Sequence, residues 1–92
     1  MTAGPSYEIP DTVLSREVDG DMVLLDLTTE HYFGLDHIGA DMVSTLTQQP
    51  WDEAVASLCG TYDVDPQVLR ADLDRLLAGL LDAGLLRRIE RP

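Results

Sequence analysis

The side chains capable of chemistry are few and scattered. His31 and His37 have no cysteine or paired carboxylate at ligand spacing, so they read as surface and helix-start residues rather than zinc ligands. Cys59, in Ser57-Leu58-Cys59-Gly60, has no second cysteine to pair with and reads as a buried small hydrophobe. Ser15, Ser44 and Ser57 have no evident base, and neither a glycine-rich phosphate loop nor a nucleophile elbow occurs. Asp19/Asp21 and Asp63/Asp65 resemble half of a calcium loop whose closing glutamate is missing. These residues point away from catalysis, from a metal and from any cofactor, and leave binding as the chemistry to look for.

The elements that would position a binding surface are concentrated between Asp19 and Leu46. Residues 13–18 alternate as a strand, Asp19-Gly20 supplies a hairpin turn, and Met22 to Leu27 form a second strand. Leu27 to Glu30 turn the chain again, and His31 to Leu35, rich in aromatic residues, form a third. Asp36 caps a helix with Ile38, Met42, Val43 and Leu46 at helical spacing. Pro50 interrupts, and a second helix starts at Trp51 with Ala54, Val55, Leu58 and Cys59 inward. Asp65-Pro66 then opens a third helix that Gly84 closes. The expected class is α+β, a three-stranded antiparallel β-ribbon followed by three helices in a winged helix-turn-helix-like order. Residues 85–89 read as a short returning strand. Residues 1–11, with two prolines and a glycine, read as a flexible arm on a single domain spanning 12–92, with Tyr7 and Ile9 able to dock on the body.

In the third helix, Val68, Leu69, Leu73, Leu76, Leu77, Leu80, Leu81, Gly79 and Ala83 sweep an arc of roughly 220° where one core needs a stripe somewhat over about 100°. Either the other helices cover the surplus or it borders a groove. A domain of 92 residues buries about 60 to 65% of its unfolded surface and has room for one modest core, without a deep catalytic cleft beside it. Seventeen Asp and Glu face six Arg and no Lys, a net charge of −11, which repels duplexes and anionic membranes. The third helix carries Asp65, Asp72, Asp74 and Asp82 against Arg70 and Arg75, a formal charge of −2 that opposes DNA reading even if the fold is winged-helix-like. The N-terminus lacks a signal-peptide pattern and no apolar run approaches about 20 residues, so the chain reads as soluble and cytoplasmic.

Asp19-Gly20, Val23-Leu24-Leu25-Asp26, Tyr32, Gly34-Leu35, Gly39, Tyr62-Asp63-Val64 and Asp72-Leu73 stand in an order that resembles the PqqD-like peptide-recognition domains. The narrower likeness is to the stand-alone recognition proteins of lasso-peptide pathways, and it runs from about Val13 to Leu86. The resemblance implies a non-catalytic protein that binds the leader segment of a ribosomally made precursor peptide. It would present that peptide to a leader protease and an ATP-using macrolactam synthetase. It further implies that the leader adds as an antiparallel strand to the third strand, against the third helix. The site so implied comprises Leu25, Asp26, Leu27, Thr28, Thr29, Glu30, His31, Tyr32 and Phe33, with Leu27 to Phe33 as the receiving edge, and Leu69, Asp72, Leu73 and Leu76 as the helix wall. Asp72 interrupts an apolar face and would accept a hydroxyl or amide from the leader, its alternative being a bond to a neighbouring arginine or to the backbone. For each leucine, ordinary core packing is an equal alternative.

Three other readings stand beside this one. PqqD-like proteins also serve radical SAM and other peptide-modifying enzymes, which the residues do not distinguish. A winged-helix DNA-binding regulator would show salt-dependent duplex binding. An enzyme subunit or fragment would show turnover.

Overall fold

A computed structural model describes residues 4–89. Its elements are β1 Ser6–Glu8, β2 Val13–Val18, β3 Asp21–Asp26, β4 Tyr32–Leu35, α1 His37–Gln48, α2 Trp51–Tyr62, α3 Pro66–Asp82 and β5 Arg87–Ile89. The ribbon read from the sequence is the antiparallel sheet β2-β3-β4, and the three helices follow it in order. The chain therefore has the α+β class expected of it.

Turn chemistry builds the ribbon. Val18 pairs with Asp21, so Asp19 and Gly20 form a two-residue loop, and their φ values of 54° and 88° are those of a type I′ hairpin. The β3–β4 turn uses a different device. The Asp26 carboxylate accepts hydrogen bonds from the backbone N–H groups of Thr28 at 2.8 Å and Thr29 at 3.3 Å, while the Asp26 carbonyl accepts from Glu30 N–H at 2.8 Å. Glu30 takes a left-handed φ of 63° to complete the reversal. The third strand begins at Tyr32, one residue later than expected.

The helix starts follow the caps seen in the sequence. Asp36 accepts from Gly39 N–H at 2.8 Å, and Asp65 from Gln67 N–H at 2.8 Å with Pro66 in the first turn of α3. α2 begins after Pro50, with Asp52 and Glu53 placed favourably at the positive end of its dipole. In α3 the stripe Leu69, Leu73, Leu77 and Leu80 is buried in one cluster with Met22 and Leu24 of β3, Val43 and Leu46 of α1, and Val55 and Leu58 of α2. The rest of its apolar arc is only partly covered: Leu76 and Ala83 are half-buried against the cluster, while Val68 and Leu81 are exposed.

The flexible arm expected over residues 1–11 differs from the structure at Ser6–Glu8. These residues pair with Arg87–Ile89, so the returning strand foreseen near the C-terminus is present and the arm supplies its partner. Tyr7 is buried, Ile9 packs against the core, and Arg87 Nε donates to Glu8 at 2.9 Å. Trp51 N–H adds a bond to the Pro5 carbonyl at 2.9 Å. Proline and glycine hide this strand in the sequence because its partner lies at the far end of the chain. Residues 1–3 and 90–92 lie outside the described residues.

Removing the Tyr7 ring should therefore act as a core truncation. Tyr7→Ala is expected to lower the unfolding free energy by about 2–4 kcal/mol in urea denaturation, a loss that an undocked arm would not produce. Burial, opposed by Arg88 and reinforced by Asp74, raises the Tyr7 phenol above its usual value; a hydrogen bond to Asp41 raises Tyr62. The unfolded phenols ionise first, near pH 10, so the folded state holds more protons above that pH and its stability falls as pH rises. The Tyr7→Phe/Tyr62→Phe double variant should show a shallower loss of stability from about pH 10 upward.

Candidate functional site

An antiparallel sheet of three strands has two outer edges, and the strand order makes β2 and β4 those edges here. They differ in what flanks them. Cross-strand partners share a face, so Ser15 and Glu17 of β2, opposite Leu24 and Met22, lie on the helix-covered side and put polar groups at that border. On β4 the corresponding residues are Phe33, opposite Leu24, and Leu35, opposite Met22. The β4 border is thus apolar on its inner side.

The backbone of β4 is available along that border. Asp26 N–H donates to the His31 carbonyl at 2.8 Å, and antiparallel pairs alternate between bonded and non-bonded positions. Phe33 and Leu35 therefore turn their N–H and C=O groups toward β3, whereas Tyr32 and Gly34 turn theirs outward. An outward row of donors and acceptors is a template for one more strand.

Beside this edge runs a groove of about 540 Å³ between β4, the start of α1 and one side of α3. Phe33, Leu35, Ile38 and Met42 supply its apolar surface on the sheet and α1 side, and Asp72, Arg75, Leu76 and Gly79 form the α3 wall. The last four recur at helical spacing, so one face of α3 meets the groove while the stripe Leu69, Leu73, Leu77 and Leu80 enters the core. The wall's charges are loosely held. Arg75 and Asp72 approach to 3.5 Å across one turn, with 79% and 48% of their side chains exposed, and an exposed pair of this kind contributes about 1 kcal/mol at most.

The structure separates the residues proposed from the sequence. Phe33, Leu76 and Asp72 line the groove, and Tyr32 stands on the opposite face of β4, 75% exposed. The alternation of strand side chains required that only one of Tyr32 and Phe33 face the cleft, and it is Phe33. Leu69 and Leu73 are core residues, with 3% and 0% exposure, and form no part of the wall, because the helix turns that stripe into the shared core.

The receiving edge is shorter than Leu27 to Phe33. Leu27, Thr28, Thr29 and Glu30 form the turn, and His31 directs its carbonyl at β3. Leu27 N–H is itself bonded to the Thr12 carbonyl at 2.8 Å. Leu25 belongs to the central strand, half-buried opposite Tyr32, and the Asp26 side chain is committed to the turn. Asp72 takes up the arginine pairing that was its alternative. The sequence reading missed the groove residues Gly34, Leu35, Asp36, Ile38, Gly39 and Met42 on the sheet and α1 side, and Arg75 and Gly79 on α3. Extending the Asp72 and Leu76 spacing by one turn would have found the last two.

The geometry is that of an edge strand, unpaired among the described residues, above a mostly apolar channel with one exposed ion pair. The family model of coenzyme PQQ synthesis protein D (PqqD) matches residues 21–86, so the chain belongs to the PqqD family. The solved structure of TbiB1 in complex with the TbiA(beta) leader peptide resembles it with a TM-score of 0.80 and 37% identity, covering 87% of this chain and 94% of that one. A lasso peptide synthetase B1 complexed with the leader peptide gives a TM-score of 0.80 at 22% identity over 89% and 98% of the two chains, a likeness of fold. A comparison with curated proteins gives no match. No helix among the described residues is long and apolar enough to cross a membrane.

Asp26 and Asp72 should behave oppositely. Asp26→Ala strips the turn of two backbone partners and is expected to lower stability by about 1–3 kcal/mol. Asp72→Ala should change it by less than about 0.5 kcal/mol. Chemical denaturation of both variants decides whether Asp26 is structural and Asp72 dispensable to the fold.

Proposed function

We propose that this protein binds the leader segment of a ribosomally synthesised precursor peptide in lasso-peptide biosynthesis, and that it catalyses nothing itself. The observation that carries this reading is the outward backbone of Tyr32 and Gly34 above the groove, in a PqqD-family chain. Support comes also from the 37% identical relative, whose structure contains a leader peptide.

In this reading the leader lies antiparallel on β4. Backbone pairing holds it without regard to sequence, and alternate side chains enter the groove, where shape and polarity select them. Residues opposite Phe33 and Leu35 reach Leu76, Ile38 and Met42. Asp72 exchanges Arg75 for a leader hydroxyl or amide, a change made cheap by the exposure of that pair. The core peptide, left free beyond the cleft, is presented to a leader protease and a macrolactam synthetase. The setting is the cytoplasm, in keeping with a chain whose one cysteine forms no internal bridge.

Strand pairing with a few apolar anchors should yield a dissociation constant between micromolar and nanomolar, roughly −8 to −12 kcal/mol. Titration with synthetic leader peptides of candidate precursors encoded beside this gene tests it. Amide shifts are expected at residues 32–36 and along Asp72, Arg75, Leu76 and Gly79, and shifts confined to β2 or β5 would move the site. Leu76→Asp should weaken binding at least about tenfold by placing a charge in the apolar channel. An unchanged affinity in Asp72→Ala would remove that residue from the contact.

A further inference from the structure

Gly34 occupies a position where glycine has no backbone duty. It is an interior residue of an edge strand, its φ is not positive, and a Cβ built on it would meet nothing within 4 Å. A β-branched residue there would stiffen and stabilise the strand. The missing side chain lies on the outer face of the sheet, since Phe33 and Leu35 on either side point inward. It leaves a gap bordered by Tyr32 on the same strand and by Val23, its cross-strand partner, which is 40% exposed. No helix covers this face, so no part of the described chain needs the space.

The same residue turns its N–H and C=O to the free edge. A peptide strand added to β4 would therefore make a bonded pair at Gly34, and the residue in that pair would direct its side chain onto the outer face, toward the gap. A large apolar or aromatic group there covers the bare glycine backbone and rests on Val23 and Tyr32. Cross-strand covering of a glycine by an aromatic ring is a known way of restoring packing that the glycine lacks.

Resting on the leader-binding reading, we propose that Gly34 is a specificity position. It accepts a bulky apolar or aromatic side chain of the bound peptide on the sheet's outer face, opposite the groove. The peptide is then read on both of its faces, by the channel beneath and by the Val23–Gly34–Tyr32 surface above.

The test pairs Gly34→Val with a single-alanine scan of the synthetic leader, using calorimetric titration for affinity and thermal melts for folding. Gly34→Val is expected to keep or raise the melting temperature and yet weaken leader binding by roughly fivefold or more. One apolar leader position should lose a similar factor on alanine substitution with the natural protein and much less with Gly34→Val. Such coupling marks the pair as neighbours. Equal affinity of the two proteins, or losses that simply multiply at every leader position, would overturn the inference while leaving leader binding intact. No binding of the unaltered leader to the natural protein would overturn both. If Gly34→Val melts lower, Gly34→Ala replaces it in the same cycle with the same criteria, since one methyl group enters open space.

Discussion

Backbone hydrogen bonding in an antiparallel sheet is satisfied strand by strand, and the outermost strand keeps one row of donors and acceptors for which the sheet has no partner. Here that row lies on β4, and the arrangement of the helices follows around it. α1 packs on β3 and β4, α2 on α1, and α3 on α2, so α3 arrives beside β4 with a channel between them instead of sealing the edge. A wider ribbon would close the border with another strand. A shorter α3 would leave no wall.

The two free borders of the ribbon are not equivalent, and the difference is chemical. β2 presents Ser15 and Glu17 on the covered side, where charge and small polar groups discourage association. β4 presents Phe33, 37% exposed, which gains from being covered, next to the already buried Leu35. Both ends of the β4 edge are held by aspartates: Asp26 ties the preceding turn and Asp36 caps the helix that follows. A rigid edge loses little entropy when a flexible segment pairs with it. The surrounding negative charge is carried mainly by exposed carboxylates that leave the channel itself largely apolar.

Much of this was legible in the residues. Asp19-Gly20 announces its hairpin, Asp36 and Asp65-Pro66 announce their helices, and the breadth of the apolar arc on α3 signals that part of the helix faces something other than the core. Each of these signals is local, set by φ preference, capping or the 3.6-residue repeat. The misplacements have a common origin. Leu69 and Leu73 look the same as Leu76 in the sequence, and only the rotation of α3 against α1 and α2 separates core from wall. Asp26 looks like an exposed strand carboxylate until the turn folds back onto it. Ser6–Glu8 looks like a loose arm because its partner strand stands at the other end of the chain.

From its residues alone this chain determined an acidic α+β domain and a three-stranded ribbon feeding three capped helices. Those properties depend on neighbours within a few positions, where steric and hydrogen-bonding preferences act directly. Tertiary structure alone decided which edge stays open, which leucines line a groove, and that Tyr32 and Gly34 offer their backbone outward. Such choices depend on the register between strands and the rotation of a helix, which are set by packing among residues far apart in the chain.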